Sequence, residues 1–451
     1  MSIALIVLAA GKGTRMKSDL PKVLHQIAGA PMLVHALRSA APLEPERVVV
    51  VAGHGAEAVT AAATDHDDTA QVVLQTEQLG TAHAVAQAGP ALDGFDGNAL
   101  ILYGDTPFIL PETLERMVAA RAQHDLVVLG FEAADPGRYG RLIMEGDALA
   151  RIVEFKDATE QERAVTFCNS GVICADSTLL FDLVAAVGND NASGEYYLTD
   201  IIQIARARGL SATAVACDEA ETLGVNSRTE LAAAEALFQA RARSAATEDG
   251  VMMMAPDTVY FSFDTVIGGD TVIEPNVVFA PGVTVESGAR IRAFSHLEGC
   301  HVARGGVIGP YARLRPGTEL AEDVRIGNFV EIKNAVLDTG AKVNHLSYVG
   351  DADLGAGVNV GAGSVTCNYD GVMKHRTIIG AQAFIGSGTM LVAPVTVGAG
   401  AMTGSGSVIT QDVPDEALAL GRAPQVNKPG LARKLFEMLK SKKAKRDKGD
   451  V

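Results

Sequence analysis

Cations crowd eleven residues near the start of the chain, Lys12, Arg15 and Lys22 among them. They lie in and just after Leu8-Ala9-Ala10-Gly11-Lys-Gly-Thr-Arg-Met16, where an apolar run gives way to a glycine-rich segment. Glycines let backbone N–H groups approach phosphate oxygens, and the cations can balance several phosphate charges. Two common phosphate motifs are excluded. A Walker A loop needs GxxxxGK[ST], which is absent, and the dinucleotide fingerprint GxGxxG would need glycine where Met16 stands. The glycines alone suit an ordinary strand-to-helix turn; the cluster of cations favours an anion site.

A second group of polar residues stands out against a glycine-rich, apolar background: Arg315, Lys333, His345, Tyr348, Asn359, Asn368, Tyr369 and Lys374. A general base must work near neutrality, and imidazole, with an ordinary pKa of about 6.5, suits that task. His345 is the candidate base. A lone histidine is more often a surface or packed residue, but cations expected on neighbouring coils favour a site for an anionic substrate. Tyr348 could merely pack its ring, and Asn359 could be a turn residue.

The elements that must position these residues differ between the two halves. Residues 1–249 hold 19 glycines and residues 250–451 hold 28. The first half alternates short apolar strands (3–9, 47–51, 99–103, 126–131) with helical stretches such as 113–124, which predicts an α/β domain with a mainly parallel sheet. Its sites should lie beyond the carboxyl ends of the strands. Asp105 follows one such strand; in isolation it reads equally as a turn aspartate. From Asn226 to about Thr247 the spacing predicts a long helix, with Ser227 and Glu230 as a capping box and Leu231, Leu237 and Phe238 as a narrow apolar stripe. A helix of about 20 residues spans ~30 Å and could act as a strut between domains. Asn226 itself reads as a helix N-cap.

In the second half, Ile267, Ile273, Phe279, Val285, Ile291 and Leu297 recur every six residues. After phase slips the pattern resumes at Val302 through Ile332, at Leu337 to Val349, at Leu354 and Val360, and from Ile379 to Val397. A period of six predicts a parallel β-helix with one inward residue per short face and three faces to a coil. Glycines 309, 317, 327, 361, 386 and 398 should turn the corners. Arg315 and Lys333, eighteen residues apart, then share a face. Residues 368–376 break the period and should form an extruded loop. The expected division is 1–225, a linker helix 226–249, the β-helix 250–425, and a basic tail 426–451.

Composition bounds the rest. With 451 residues, 48% hydrophobic, two or three domains with full cores are expected. Five cysteines without a CxxC pair suggest reduced thiols, neither a disulfide framework nor a cysteine zinc site. The net charge of −16 argues against general nucleic-acid binding, and it is uneven: residues 428–451 carry +6 and the rest −22. The tail reads as a solvated terminus or a contact for an anionic partner. The longest apolar run, 3–10, is too short to span a bilayer and lacks a basic leader, so a cytoplasmic protein without membrane insertion is expected.

The stretch LxxGxGTRM followed by Pro21-Lys22 resembles the signature of the sugar-nucleotide pyrophosphorylases. Gln75, Gln78-Leu-Gly-Thr-Ala-His83, Tyr103-Gly104-Asp105, Tyr139-Gly140, Glu154, Asn169 and Gly224-Val-Asn226 follow in matching order. Joined to hexapeptide repeats, this resembles a bacterial family of two-headed enzymes, from about residue 3 to residue 425. The resemblance implies a Rossmann-like α/β nucleotidyltransferase domain and a left-handed parallel β-helix. It implies acetyl-CoA-dependent N-acetylation of glucosamine 1-phosphate, then Mg²⁺-dependent uridylyl transfer from UTP, releasing pyrophosphate. On the matching positions, Leu8 to Gly11, Gln75, Gly80 and Thr81 would bind uridine. Arg15 and Lys22 would face the phosphates, Asp105 and Asn226 would hold Mg²⁺, and Gly140, Glu154 and Asn169 would contact the sugar, with Tyr103 and Gly104 alongside. Arg315, Lys333, Tyr348, Asn359 and Lys374 would bind the amino-sugar phosphate around His345. Ala362, Asn368, Tyr369, Ser387, Ser405 and Arg422 would surround acetyl-CoA; Ser405 departs from the alanine expected there. The resemblance also implies a homotrimer through the β-helix. A single-activity pyrophosphorylase with a β-helix scaffold, or a non-catalytic subunit, are competing readings. The His345, Lys333 and Asn368-Tyr369 set speaks against the first, and retention of Lys22 and Asp105 against the second.

Overall fold

Near-continuous apolar runs in the first half form strands covered on both faces, as a parallel sheet requires. The computed structural model describes residues 2–447 and contains two units. The first runs through Glu248 and takes in Tyr260–Thr265; the second comprises Asp249–Val259 and the chain from Val266 onward.

In the first unit nine strands form one sheet: β1 (Ile3–Ala9), β2 (Arg47–Ala52), β3 (Gln71–Leu74), β4 (Asn98–Tyr103), β5 (Leu126–Glu132), β6 (Arg141–Glu145), β7 (Ala148–Val153), β8 (Phe167–Asp176) and β9 (Ala212–Cys217). The main path is β9-β5-β8-β4-β1-β2-β3, with the β6–β7 hairpin attached to β8. Neighbours on that path are parallel, except that β8 runs antiparallel to β4 and β5. Alternate residues feed opposite cores: Leu5, Val7, Leu100 and Leu102 one, Ile6, Leu8, Ala99 and Ile101 the other. The order of strands reverses at β1, and a crevice beyond the carboxyl ends at such a reversal is where α/β sheets hold ligands. Leu8 pairs with Tyr103, so the glycine-rich loop and Asp105 leave the sheet side by side.

The long helix spans Arg228–Glu248. It is not a free strut. Its stripe of Leu231, Ala234, Leu237 and Phe238 packs on Ile27, Met32, Phe108 and Phe263, all within the first unit. The capping box is offset by one residue: Ser227 Oγ accepts from the Glu230 N–H, but the Glu230 carboxylate accepts from the N–H of Asn226.

In the second unit equivalent strands stack in parallel on three faces. Ile291 lies on Ile308, Ile326, Val343 and Val360 along the first face. Leu297 lies on Leu314, Ile332 and Val349 along the second, and Val302 on Leu320, Leu337 and Leu354 along the third. All of these are buried. The architecture is a left-handed parallel β-helix. The step between paired residues is 17 or 18 along these ladders but 25 from Leu354 to Ile379, because residues 368–376 loop out, closed by a bridge between Tyr369 and Lys374.

The corner glycines divide into two kinds. Gly309 and Gly317 take positive φ and turn the chain. Gly327, Gly361, Gly386 and Gly398 do not; a Cβ on Gly327 would collide with the carbonyl of Asn344 on the next coil. Their role is close approach between coils, while Phe294, Tyr311, Phe329 and Leu346, at φ 50–61°, turn the corner.

Candidate functional site

The loop after β1 is shaped by Gly13, whose positive φ lets it lie against the Lys22 stem, where a Cβ would clash. Lys22 follows Pro21 in a short 3₁₀ turn, and its ammonium donates to the Asp105 carboxylate and, at 3.1 Å, to Asn226 Oδ1. These three residues come from the loop after β1, the end of β4 and the start of the long helix. Val225 N–H donates to the Asp105 carbonyl and Asn226 N–H to Glu230, so both oxygen donors are held by their own backbone. Two oxygens thus converge on one cationic position. That donor set suits Mg²⁺, which takes its remaining ligands from water and phosphate. Among the described residues no group of three or more His, Cys, Asp or Glu forms an all-protein metal cage.

Beside this cluster is a cleft lined by Leu8, Ala9, Ala10, Gly11, Lys22, Gln75, Gly80, Thr81, Tyr103 and Asp105. Gln75 is buried; its amide donates to the Gly80 carbonyl and meets His83 Nδ1 at 3.0 Å, which fixes its orientation. Gly80, at φ +125°, is clamped: Tyr196 N–H donates to the Leu79 carbonyl, Ala82 N–H donates to the Tyr196 carbonyl, and a Cβ on Gly80 would strike that carbonyl. Thr81 Oγ1 accepts from the N–H of Leu198.

Gly140, Glu154 and Asn169 lie outside the lining of this cleft but next to one another. Asn169 N–H donates to the Gly140 carbonyl at 2.8 Å, and the Glu154 carboxylate stands where a Gly140 Cβ would make contact. Burial pushes the Glu154 carboxyl above its ordinary range, against a hydrogen bond from Thr199. Tyr103 joins the two groups: burial raises its phenol, and the charges of Asp105 and Glu154 raise it further. Gly104 continues the strand end through its N–H to Leu8 O. Arg15 is exposed on the turn Thr14–Met16, also outside the lining. Val23, Gln78, Ala84 and Glu195 line the cleft too. Glu195, like Tyr196 and Thr199, comes from a polar segment with no periodic signal.

On the β-helix the candidates gather at two edges of the second face. At the edge leading into the third face, Arg315 and Lys333 sit on successive coils, and Arg315 pairs with Glu331 at 2.9 Å. Lys374 lies beside Lys333 and, with burial, lowers its pKa. Beneath them the buried Asp351 accepts from Asn334 and Asn368. Burial pushes its carboxyl up, but those hydrogen bonds and the two lysines outweigh burial and hold it below the usual range. Tyr369 is exposed on the extruded loop.

His345 stands at the other edge, with Ala362, Ser387 and Ser405 on the same corner of successive coils. Lys333 and His345 lie on neighbouring coils, as the spacing predicts, but at opposite edges of the second face, with Tyr348 on the face between, stacked over Glu331 and 3.5 Å from Asn368. His345 lines a hollow with Arg292, Tyr311, Asn328 and Phe329, and its Nδ1 meets Asn328 Oδ1 at 2.8 Å. That oxygen accepts, so Nδ1 is the donor of this contact. Arg422 donates to the Ser405 carbonyl at 2.6 Å, a contact indifferent to the serine side chain. Asn359 pairs with Lys342 on the first face.

The MobA-like NTP transferase domain family matches residues 5–170, and the bacterial transferase hexapeptide family (six repeats) matches 264–299 and 376–411. A Bifunctional protein GlmU of Ruegeria pomeroyi is 72% identical over 448 residues, covering 99% of this chain and all of that one. Relatives of the same name from Ruegeria sp. TM1040 and Cereibacter sphaeroides ATCC 17025 are 68% and 69% identical over 449 and 448 residues. The first spans all of both chains, the second 99% of both.

Proposed function

The chain belongs to the bifunctional GlmU family, and from its two sites we infer how each half serves the two activities. It is an N-acetylglucosamine-1-phosphate uridyltransferase and a glucosamine-1-phosphate acetyltransferase acting in UDP-N-acetylglucosamine synthesis, a cell-wall precursor. The single-activity reading is not favoured.

For uridylyl transfer the observation that carries the assignment is the convergence of Lys22, Asp105 and Asn226 beside the cleft. A sugar 1-phosphate oxygen attacks the α-phosphorus of UTP, and the bond to the β-phosphate breaks as pyrophosphate leaves. Such reactions are accelerated by positioning and charge neutralisation. The Lys22 ammonium holds the phosphates, with Arg15 closing from the exposed turn, and residues 8–11 border the uridine. The fixed Gln75 amide, Gly80 and Thr81 seat the uracil and ribose. Gly140, Glu154 and Asn169 take the sugar hydroxyls. Asp105 and Asn226 would hold Mg²⁺, which supplies further neutralisation of the phosphate charge.

For acetyl transfer His345 Nε2 takes the proton as the amine attacks the thioester carbon and coenzyme A leaves. Nδ1 donates to Asn328, which in the neutral ring leaves Nε2 free. Arg315, Lys333 and Lys374 attract the sugar phosphate; their mutual repulsion is relieved when an anion binds. Tyr348 and Asn359 orient the amino sugar. Ala362, Asn368, Tyr369, Ser387, Ser405 and Arg422 border acetyl-CoA.

The proposed assembly is a homotrimer through the β-helix. It is supported by an exposed corner ladder in which Phe294, Tyr311 and Phe329 stack at 4.9 and 5.1 Å between ring centroids, followed by exposed Leu346. The proposed division of labour assigns 1–225 to uridylyl transfer, 226–249 to the linker and 250–425 to acetyl transfer. The proposed location is the cytoplasm, where UTP and acetyl-CoA are made; no helix among the described residues is long and apolar enough to cross a membrane.

The test is thiol release from acetyl-CoA on adding glucosamine 1-phosphate without UTP, read with a thiol dye. Sugar-dependent release is expected. No release from folded protein would reduce the β-helix to a scaffold.

A further inference from the structure

No residue of the basic tail is among those assigned above to either site, and most of the tail forms a helix, Leu431–Asp447, with every residue exposed in the single chain. Its first turns are two-sided. Leu431, Leu435, Met438 and Leu439 recur at the spacing of one helical face, and Phe436 flanks them; they are 40–65% exposed. The following turns change character: Lys440, Lys442, Lys443, Lys445 and Arg446 point around the whole circumference. The ion pairs found in this helix, Arg433 with Glu437 and Arg446 with Asp447, are both 3.8 Å long and largely solvated. Such pairs contribute little.

We propose that this helix is an interfacial anchor that lies on an anionic lipid surface, its Leu431–Leu439 face among the acyl chains and its 440–446 cations among the headgroups. Two features select a bilayer over other anionic partners. A nucleic acid would leave the five large apolar side chains in water. A protein groove would read one side of the helix, whereas cations on all sides suit a diffuse anionic plane. The charge is also segregated: the tail carries +6 against −22 on the rest of the chain, so the body is repelled by the same surface and contact is confined to the helix. The anchor adsorbs without crossing the bilayer, and it is independent of both catalytic assignments.

The chain has no tryptophan, so a Phe436→Trp variant carries one reporter on the apolar face. Full-length protein is mixed with vesicles of phosphatidylglycerol and phosphatidylcholine, or of phosphatidylcholine alone. The expected result is a blue shift and co-sedimentation with the anionic vesicles only, reversed by salt. Lys442→Gln with Lys443→Gln should weaken partition roughly fivefold for each charge removed. Leu435→Ser with Leu439→Ser, in the same reporter background, should weaken it on the order of tenfold or more. Both variants should keep both enzymatic activities, which certifies their folding. No shift with anionic vesicles, or vesicle binding unchanged by the Leu435 and Leu439 substitutions, overturns the proposal. A shift of equal size with a soluble polyanion such as heparin also overturns it, in favour of a polymeric partner.

Discussion

In the first unit three side chains from three different segments meet at one point, and the two that bring oxygens, Asp105 and Asn226, are held by their own backbone. On the β-helix the polar residues are strung along two edges of a face, one holding His345 and the other Arg315, Lys333 and Lys374, with exposed aromatics at the His345 edge. The contrast follows from the folds. A sheet whose strand order reverses gathers loops into a crevice. A solenoid contacts only its neighbouring coils and offers flat faces, which need something laid against them to exclude water. The uridylyl site should accordingly work in a single copy, and the acetyl site should depend on assembly.

Substitutions can break that comparison. The largest effect is expected from His345→Ala, which should lower acetyl transfer by about 10²–10⁴-fold and leave uridylyl transfer unchanged in separate assays. Phe294→Glu, three coils from His345, should loosen the assembly by on the order of 2 kcal/mol, seen by sedimentation, with acetyl transfer falling on dilution while uridylyl transfer does not. If both activities fell together, the contrast would fail. Gly80→Ala should cost about 1–3 kcal/mol through its backbone and raise the KM for UTP. An unchanged Tm and KM would remove the proposed clamp by Tyr196.

The smallest effect concerns pH. Asp351 has a depressed pKa when folded, so its contribution is present above the ordinary carboxylate range and is lost as pH falls through the lower folded value. Asp351→Asn should therefore be less stable than the parent at pH 7 by about 1–3 kcal/mol. The gap should close in acid, as thermal unfolding across pH would report.

What was legible in the chain follows the same physics. The β-helix could be read because each inward residue recurs at a fixed interval, and the crevice because apolar strands end at glycine and aspartate. The edge that His345 takes relative to Lys333 could not be read, since each phase slip moves residues around the coil by an amount the spacing does not disclose. Glu195, Tyr196 and Thr199 were invisible because a polar segment without periodicity reaches the cleft only through the tertiary fold. The seating of the long helix was half legible: its stripe was evident, but its partner Phe263 lies beyond the helix and returns to the first unit. The offset cap at Asn226 brings a helix-start residue against Lys22, so one asparagine joins the helix start to the Lys22–Asp105 cluster.

The central claim is that two chemistries reside in separate, independently functioning parts of one chain. The most direct test is to assay both activities in Asp105→Ala. The account predicts that uridylyl transfer is abolished while sugar-dependent thiol release from acetyl-CoA continues at the parental rate. Loss of both activities from a folded, assembled protein, or retention of uridylyl transfer, would contradict it.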